Sequence, residues 1–170
     1  GLNPTSNRWS IEGNMIASSV FDPLLTFDED RELVPMLAES VEPNETGTQW
    51  TIKVREGVKF HDGTDLDAEA VKLNIDSRKA NPLTGGALAP VEEVVVIDPL
   101  TVEVRMSTPW FGYDYTLAAQ GGYMAAPAQL NDTANNTRIA IGTGPFEQVG
   151  QFSTGEAIEV LSMDDRMTVC

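Results

Sequence analysis

Between residues 49 and 55 the chain alternates without interruption. Trp50, Ile52 and Val54 fall on one side, and Gln49, Thr51, Lys53 and Arg55 on the other. A period of two marks a half-buried β-strand, so the chain must build a sheet with one covered face. Turns frame this strand. A stretch rich in Asn, Thr and Gly precedes it (residues 44–48), and Phe60 with the His61-Asp62-Gly63-Thr64 turn follows it.

The rest of the chain reads as a mixture of helices and strands. Ile11, Met15, Ile16, Ser19 and Val20 have helical spacing and predict a short amphipathic helix over residues 11–20. Asp22, biased away from the helical region by Pro23, ends it. Residues 24–27 predict a brief strand, 28–31 a turn and 34–39 a short helical segment. Asp67 is a plausible N-cap for a helix running to about residue 79, and Asn81-Pro82 stops it. Residues 83–90 are Gly-rich and read as flexible. Residues 94–97 and 101–106 flank Asp98-Pro99-Leu100 as a β-hairpin, with Val102, Val104 and Met106 on one face. Residues 109–120 read as a loop into a helix containing Trp110, Phe111 and Tyr115, broken by Gly121-Gly122-Tyr123. One helical turn is expected over 127–130. After the Gly142-Thr143-Gly144-Pro145 breaker, strands are expected over 147–152 and 157–161, around Ser153-Thr154-Gly155. The fold class is mixed α/β, of the α+β kind.

Several chemistries are excluded at this level. Lys plus Arg total 11 against 26 Asp plus Glu, a net charge of −15, and that field repels phosphate backbones. No nucleic-acid partner is expected. His61 is the only histidine, so any Ser-His-Asp or Cys-His unit must use it, yet it sits in a turn beside Asp62. One His and one Cys, Cys170, rule out a protein-only zinc site of the usual kind. The acidic run from Asp28 to Glu32 lacks the glycine and distal glutamate of an EF-hand. Gly142-Thr143-Gly144-Pro145 lacks the Lys-Ser/Thr of a P-loop and leads into a strand. The expectation is no catalytic residues, no metal and no cofactor.

Read as an ordered series, the motifs are more specific. The chain presents LNP, VFDPLL, PMLAES, QWTIKVREGVKFHDGT, DPLTVEVRM, STPWF and GTGPF in that order. This series resembles the family 5 solute-binding proteins, the extracytoplasmic receptors of peptide, opine and nickel ABC importers. The resemblance runs from Leu2 to about Leu161. It departs at the end, where the family's LxRNPDYW gives way to Leu161-Ser162-Met163, and it places Arg31 or Glu32 where a glycine is usual.

The resemblance implies the N-terminal third of a two-lobed periplasmic-binding-protein-like receptor. Residues 1–40 would be a main-lobe segment, 41–140 an inserted small subdomain, and 141–170 the return to the main lobe. A missing first strand would leave an unpaired sheet edge. HDGT becomes a structural turn, and Asp67-Ala68-Glu69-Ala70 keeps only half of the family's capping box. By position the cleft-facing residues are Arg8, Trp9 and Ser10 in the loop after LNP; Gln120, Gly121, Gly122 and Tyr123; and Gly142, Thr143 and Gly144 in the return motif. The implied function is capture of a small solute, a peptide first, for ABC permease subunits of the inner membrane. The full receptor would be a monomer, periplasmic or anchored outside the membrane. A truncated structural or protein-interaction module is the alternative.

Overall fold

The computed structural model describes residues 1–151 and 159–162. The Phe152 end of one expected strand, the Ser153-Thr154-Gly155 turn, the Ala157 start of the next strand and Cys170 lie outside the described residues.

Helix α1 (Ile11–Val20) starts where Ser10 accepts a hydrogen bond from the Gly13 amide, and stops at Phe21. Its location matches the spacing but its covered face does not. Ala17 and Val20 are buried, whereas Ile11 and Met15 are 81% and 69% exposed. Strands β1 (Leu25–Phe27) and β2 (Leu33–Pro35) form a small hairpin. The Asp28 carboxylate accepts from the Asp30 and Glu32 amides, both at 2.9 Å, and Arg31 takes the left-handed φ of 65°. The acidic run is thus a turn held by its own carboxylate.

The helical segment expected over residues 34–39 is not there. Those residues complete β2 and open β3 (Ala38–Pro43). The amides of Met36 and Ala38 donate to the Leu24 carbonyl, and that of Leu37 to Pro23. Helix propensity in a piece this short is too small to compete with strand partners on both sides.

β4 (Gln49–Val54) is the alternating strand, with Trp50, Ile52 and Val54 all buried. Helix α2 (Ala68–Ala80) is capped by Asp67, whose side chain accepts from the Ala70 amide at 2.8 Å. β5 (Val91–Asp98) and β6 (Thr101–Met106) form the expected hairpin, β5 beginning three residues earlier than its apolar run suggests. The antiparallel sheet has the order β3-β4-β6-β5. Its covered face carries Trp50, Ile52, Val54, Val102, Val104 and Met106, and α2 lies on it through Val71 and Ile75.

Residues 83–90 are organised where the sequence reads as flexible. They form a 3₁₀ turn over Gly85–Leu88, with Leu88 in the core and the Thr84 hydroxyl donating to the carbonyls of Thr5 and Arg78. Helix α3 (Tyr113–Leu117) starts after Trp110 and Phe111, which were expected inside it. Trp110 is detained by the core, because its carbonyl accepts from Trp50 Nε1 at 3.0 Å and its ring lies 5.1 Å from that of Tyr113. Gln120–Gly122 form a second 3₁₀ turn, and α4 (Pro127–Asn131) is the single turn with Pro at its start. β7 (Phe146–Val149) and β8 (Glu159–Ser162) form an antiparallel ribbon with no third strand among the described residues. A second apolar cluster, built on Leu2, Val20, Phe21, Tyr123, Ala125 and Leu130, joins the N-terminal loop, α1 and the 120–130 segment.

Candidate functional site

Three distant segments meet at the end of α2. The Arg78 Nη2 donates to the carbonyls of Pro4 and Gln120. Gln120 in turn donates from Nε2 to the carbonyls of Pro4 and Asn7. The loop that follows Leu2 is rigid enough to be strapped in this way, since Asn3 Oδ1 accepts from both the amide and the hydroxyl of Thr5, at 2.9 and 2.8 Å. The result is a cleft of about 300 Å³ lined by Arg8, Arg78, Thr84, Leu88, Gln120 and Gly121 among others.

The electrostatics of this cleft are one-sided. Arg78 is 6% exposed, and burial lowers its guanidinium to about 10, against a small opposing effect of Tyr113. It stays charged at neutral pH, with carbonyl dipoles as its hydrogen-bond partners. Burial also pushes the Tyr113 phenol up, and its hydroxyl has no hydrogen-bond partner among the described residues. Arg8 is exposed and lines both this cleft and a neighbouring one of about 230 Å³, formed with Asn7, Trp9, Ser10, Gly13 and Ile16.

Trp9 is half-buried. Its ring stacks on Phe21 with centroids 6.3 Å apart and tilts against Tyr123 at 5.9 Å, and Nε1 donates to the Gly1 carbonyl at 3.1 Å. The Ser10 hydroxyl is engaged as the cap of α1. Tyr123 is 8% exposed and its hydroxyl bonds to Asn14 and Ser18; burial, then the nearby Asp22, raises its pKa. Gly121 and Gly122 permit a close backbone crossing. A Cβ on Gly122 would stand 1.7 Å from the Leu117 carbonyl oxygen.

The Gly142-Thr143-Gly144 segment is held elsewhere, by His61. The His61 amide donates to the Gly142 carbonyl at 2.9 Å, and the Gly142 amide donates back to Nδ1 at 3.3 Å. With Nδ1 accepting, Nε2 carries the proton and donates to the Gly144 carbonyl at 2.8 Å. Both ring nitrogens are thus used in fastening the HDGT turn to the return motif, which leaves no free nitrogen for proton transfer. Thr143 donates to Asp22 Oδ2 at 2.9 Å, and the Gly144 amide to the Val20 carbonyl at 2.9 Å.

Asp22 yields a pH-dependent prediction. Burial raises its carboxyl above the usual range, outweighing the hydrogen bond from the Thr143 hydroxyl, which lowers it. The folded chain therefore keeps this proton over a pH window in which the unfolded chain has lost it. Stability falls as pH rises through that window. Asn at this position still accepts from Thr143 without a charge. The Asp22→Asn protein is expected to unfold at higher urea than the parent at neutral pH, and the two should converge in acid. An equal difference at both pH values would contradict this account.

Of the residues expected at a cleft, Arg8, Gln120 and Gly121 share one, and Trp9 and Ser10 line its neighbour. Gly122, Tyr123, Gly142, Thr143 and Gly144 line neither. Arg78 and Thr84 escaped the sequence reading. The signal for Arg78 was present, because it continues the spacing of Val71 and Ile75 along the apolar face of α2. A cation on a covered stripe needs a reason to be there.

Comparison with known proteins bears on the family and the fold. The model of the family described as bacterial extracellular solute-binding proteins, family 5 middle, matches residues 32–165. The chain is 36% identical over 136 residues to the glutathione-binding protein GsiB of Escherichia coli K12, a match covering 78% of this chain and 27% of that protein. Among solved structures it superposes on NikZ from Campylobacter jejuni in complex with Ni(L-His), with a TM-score of 0.81 and 27% identity over 95% of this chain and 33% of that one. NikA from Brucella suis in complex with Fe(III)-EDTA gives a TM-score of 0.79 at 29% identity, again over 95% and 33%. The chain thus spans roughly a quarter to a third of the length of these relatives. The fold is that of a part of these receptors, and the chain belongs to the family 5 bacterial extracellular solute-binding proteins.

Proposed function

We propose that this chain is part of the substrate-binding component of an ABC-type importer, which captures peptides or similar small solutes outside the membrane and delivers them to the permease. The observation that carries the reading is the gathering of Arg8, Gln120 and Gly121 at one cleft, on a frame shared with receptors for glutathione and nickel complexes. The side chains around it bind and orient, and His61 is occupied by structural bonds.

The expected division into main-lobe segments (1–40 and 141–170) and an inserted subdomain (41–140) is supported by the four-stranded sheet. Its strands and α2 fall between residues 38 and 106. Receptors of this architecture close two lobes on their solute and present the closed form to the permease; this is a hinge motion without chemistry on the ligand. A cleft with one wall loses the second set of contacts, so the 170-residue chain alone is expected to bind peptide pools weakly or not at all by calorimetry. Micromolar binding would overturn that. Deleting this segment from its gene should abolish uptake of at least one labelled solute from a panel of short peptides, glutathione and nickel–histidine. Undiminished uptake across the panel would sink the transport reading.

A further inference from the structure

The hydrogen bonds of His61 fix its charge state as well as its tautomer. The Gly142 amide can only donate, so Nδ1, 3.3 Å away, must accept and carries no proton. Nε2 carries the proton of the ring and donates to the Gly144 carbonyl at 2.8 Å. The ring is a neutral clip with opposite roles at its two nitrogens. An imidazolium has a donor at each nitrogen and no acceptor. It keeps the Gly144 bond and turns the Gly142 bond into two N–H groups facing each other.

The position of this clip gives it leverage. His61 belongs to the turn after β4, and the Gly142 amide it receives lies 81 residues further on. Gly142 and Gly144 are both buried. Between them Thr143 donates to Asp22, and the Gly144 amide donates to the Val20 carbonyl, so the clipped segment also secures the end of α1. The ring itself is half-buried and borders a cavity of about 200 Å³, lined by Asp62, Ile139, Ile141, Glu147 and Gln148 among others. Charged groups stand on each side of it: Asp62 in its own turn, Asp22 behind Thr143, and Glu147 on β7. Of the nearby cations, Lys59 is engaged by Asp65, and Arg138 precedes the Ile139 wall of the cavity. The three carboxylates offer counter-charge to an imidazolium, so what charging the ring sacrifices is the Gly142 bond.

We propose that His61 is an acid-sensitive clip, in which protonation of Nδ1 releases the Gly142 amide and loosens the return segment from the HDGT turn. The proton comes from solvent and returns to it, so the switch is reversible. The bond from the His61 amide to the Gly142 carbonyl, at 2.9 Å, does not titrate, and it limits the change to a local loosening. The inference stands on the ring geometry and goes beyond solute capture. That reading supplies only its setting, since a protein of an extracellular family meets the pH of the medium.

The test uses the ¹⁵N-labelled 170-residue chain, with no solute, at about pH 7.5 and about pH 5. The ring ¹⁵N shifts of His61 report tautomer and charge. Deuterium exchange of the Gly142 amide, corrected for its intrinsic rate, reports the clip. The expected result is a neutral ring protonated at Nε2 at the higher pH and an imidazolium at the lower one. Gly142 protection should then fall about tenfold, while the Ile52 amide in the central strand β4 holds. His61→Asn puts a non-titrating amide oxygen near the place of Nδ1, and its Gly142 protection should be equal at both pH values. The Asp22→Asn background should keep the full response. A ring that charges while Gly142 protection stays constant would overturn the proposal, as would a ring that stays neutral at the lower pH or carries its proton on Nδ1. Equal losses at Gly142 and Ile52 would show general unfolding in its place. A response that disappears in Asp22→Asn would assign the sensing to that carboxyl. The parent measurements decide the matter even if His61→Asn does not fold, and none of these outcomes touches the uptake experiment above.

Discussion

Replacing Asn74 with alanine is expected to cost about 4 kcal/mol of stability. Asn74 is 2% exposed and lies on the covered face of α2. Its Nδ2 donates to the carbonyls of Ala70 and Ala125, at 2.9 and 2.8 Å, and its Oδ1 accepts from the Ala125 amide at 2.9 Å. One side chain thus satisfies both backbone groups of Ala125, a residue with no exposed surface. Alanine removes the hydrogen bonds and also leaves a buried N–H and a buried C=O without partners, and those orphaned groups account for most of the loss. The urea midpoint should fall accordingly, and the Ala125 amide should exchange with deuterium much faster. A loss under about 1 kcal/mol would mean that water replaces the side chain, which the burial of Ala125 argues against. Ala125 follows the Gln120–Tyr123 segment, so the same substitution is expected to loosen the Gln120 wall of the Arg8 cleft.

Gly142→Ala is the second large effect, at roughly 3 kcal/mol. A Cβ on Gly142 would stand 2.0 Å from the Val20 carbonyl oxygen and 2.8 Å from Phe21 Cδ1. Backbone lies on one side and a fully buried ring on the other, so neither neighbour can move cheaply. The return segment must lift off α1, which breaks the Gly144 amide bond to Val20 and the paired bonds between His61 and Gly142. Gly57→Ala is the control. Gly57 has φ +80° and nothing within 4 Å of its added Cβ, so it isolates the strain of the left-handed backbone, about 1 kcal/mol. If denaturant curves place the two substitutions together, close packing is not what requires a glycine in the return motif.

Much of this was legible in the residues. Helices α1 and α2, the β4 alternation and the β5–β6 hairpin follow from periodicity and turn chemistry over short windows, with Asp67 and Pro23 setting boundaries. The failures have a common cause. Residues 34–39, Trp110 with Phe111, and residues 83–90 all take their conformation from partners far along the chain: Leu24 and Pro23 for the first, Trp50 for the second, Thr5 for the third. Local propensity carries no information about such partners. The exposed Ile11 and Met15 show the same limit from the other side, since helical spacing identifies an apolar stripe without saying what covers it.

By itself the sequence determined the fold class and, through its ordered motifs, the family. It also placed Arg8, Gln120 and Gly121 on the short set of residues worth watching. Only the tertiary structure decided that these residues meet, that Arg78 stands among them, and that Gly142 to Gly144 serve His61 and α1 at a different place. The reason is physical. Periodicity and capping act over one or two turns of chain, whereas a cleft is made by segments more than a hundred residues apart, joined by the hydrogen bonds that Pro4 and Asn7 accept from Gln120.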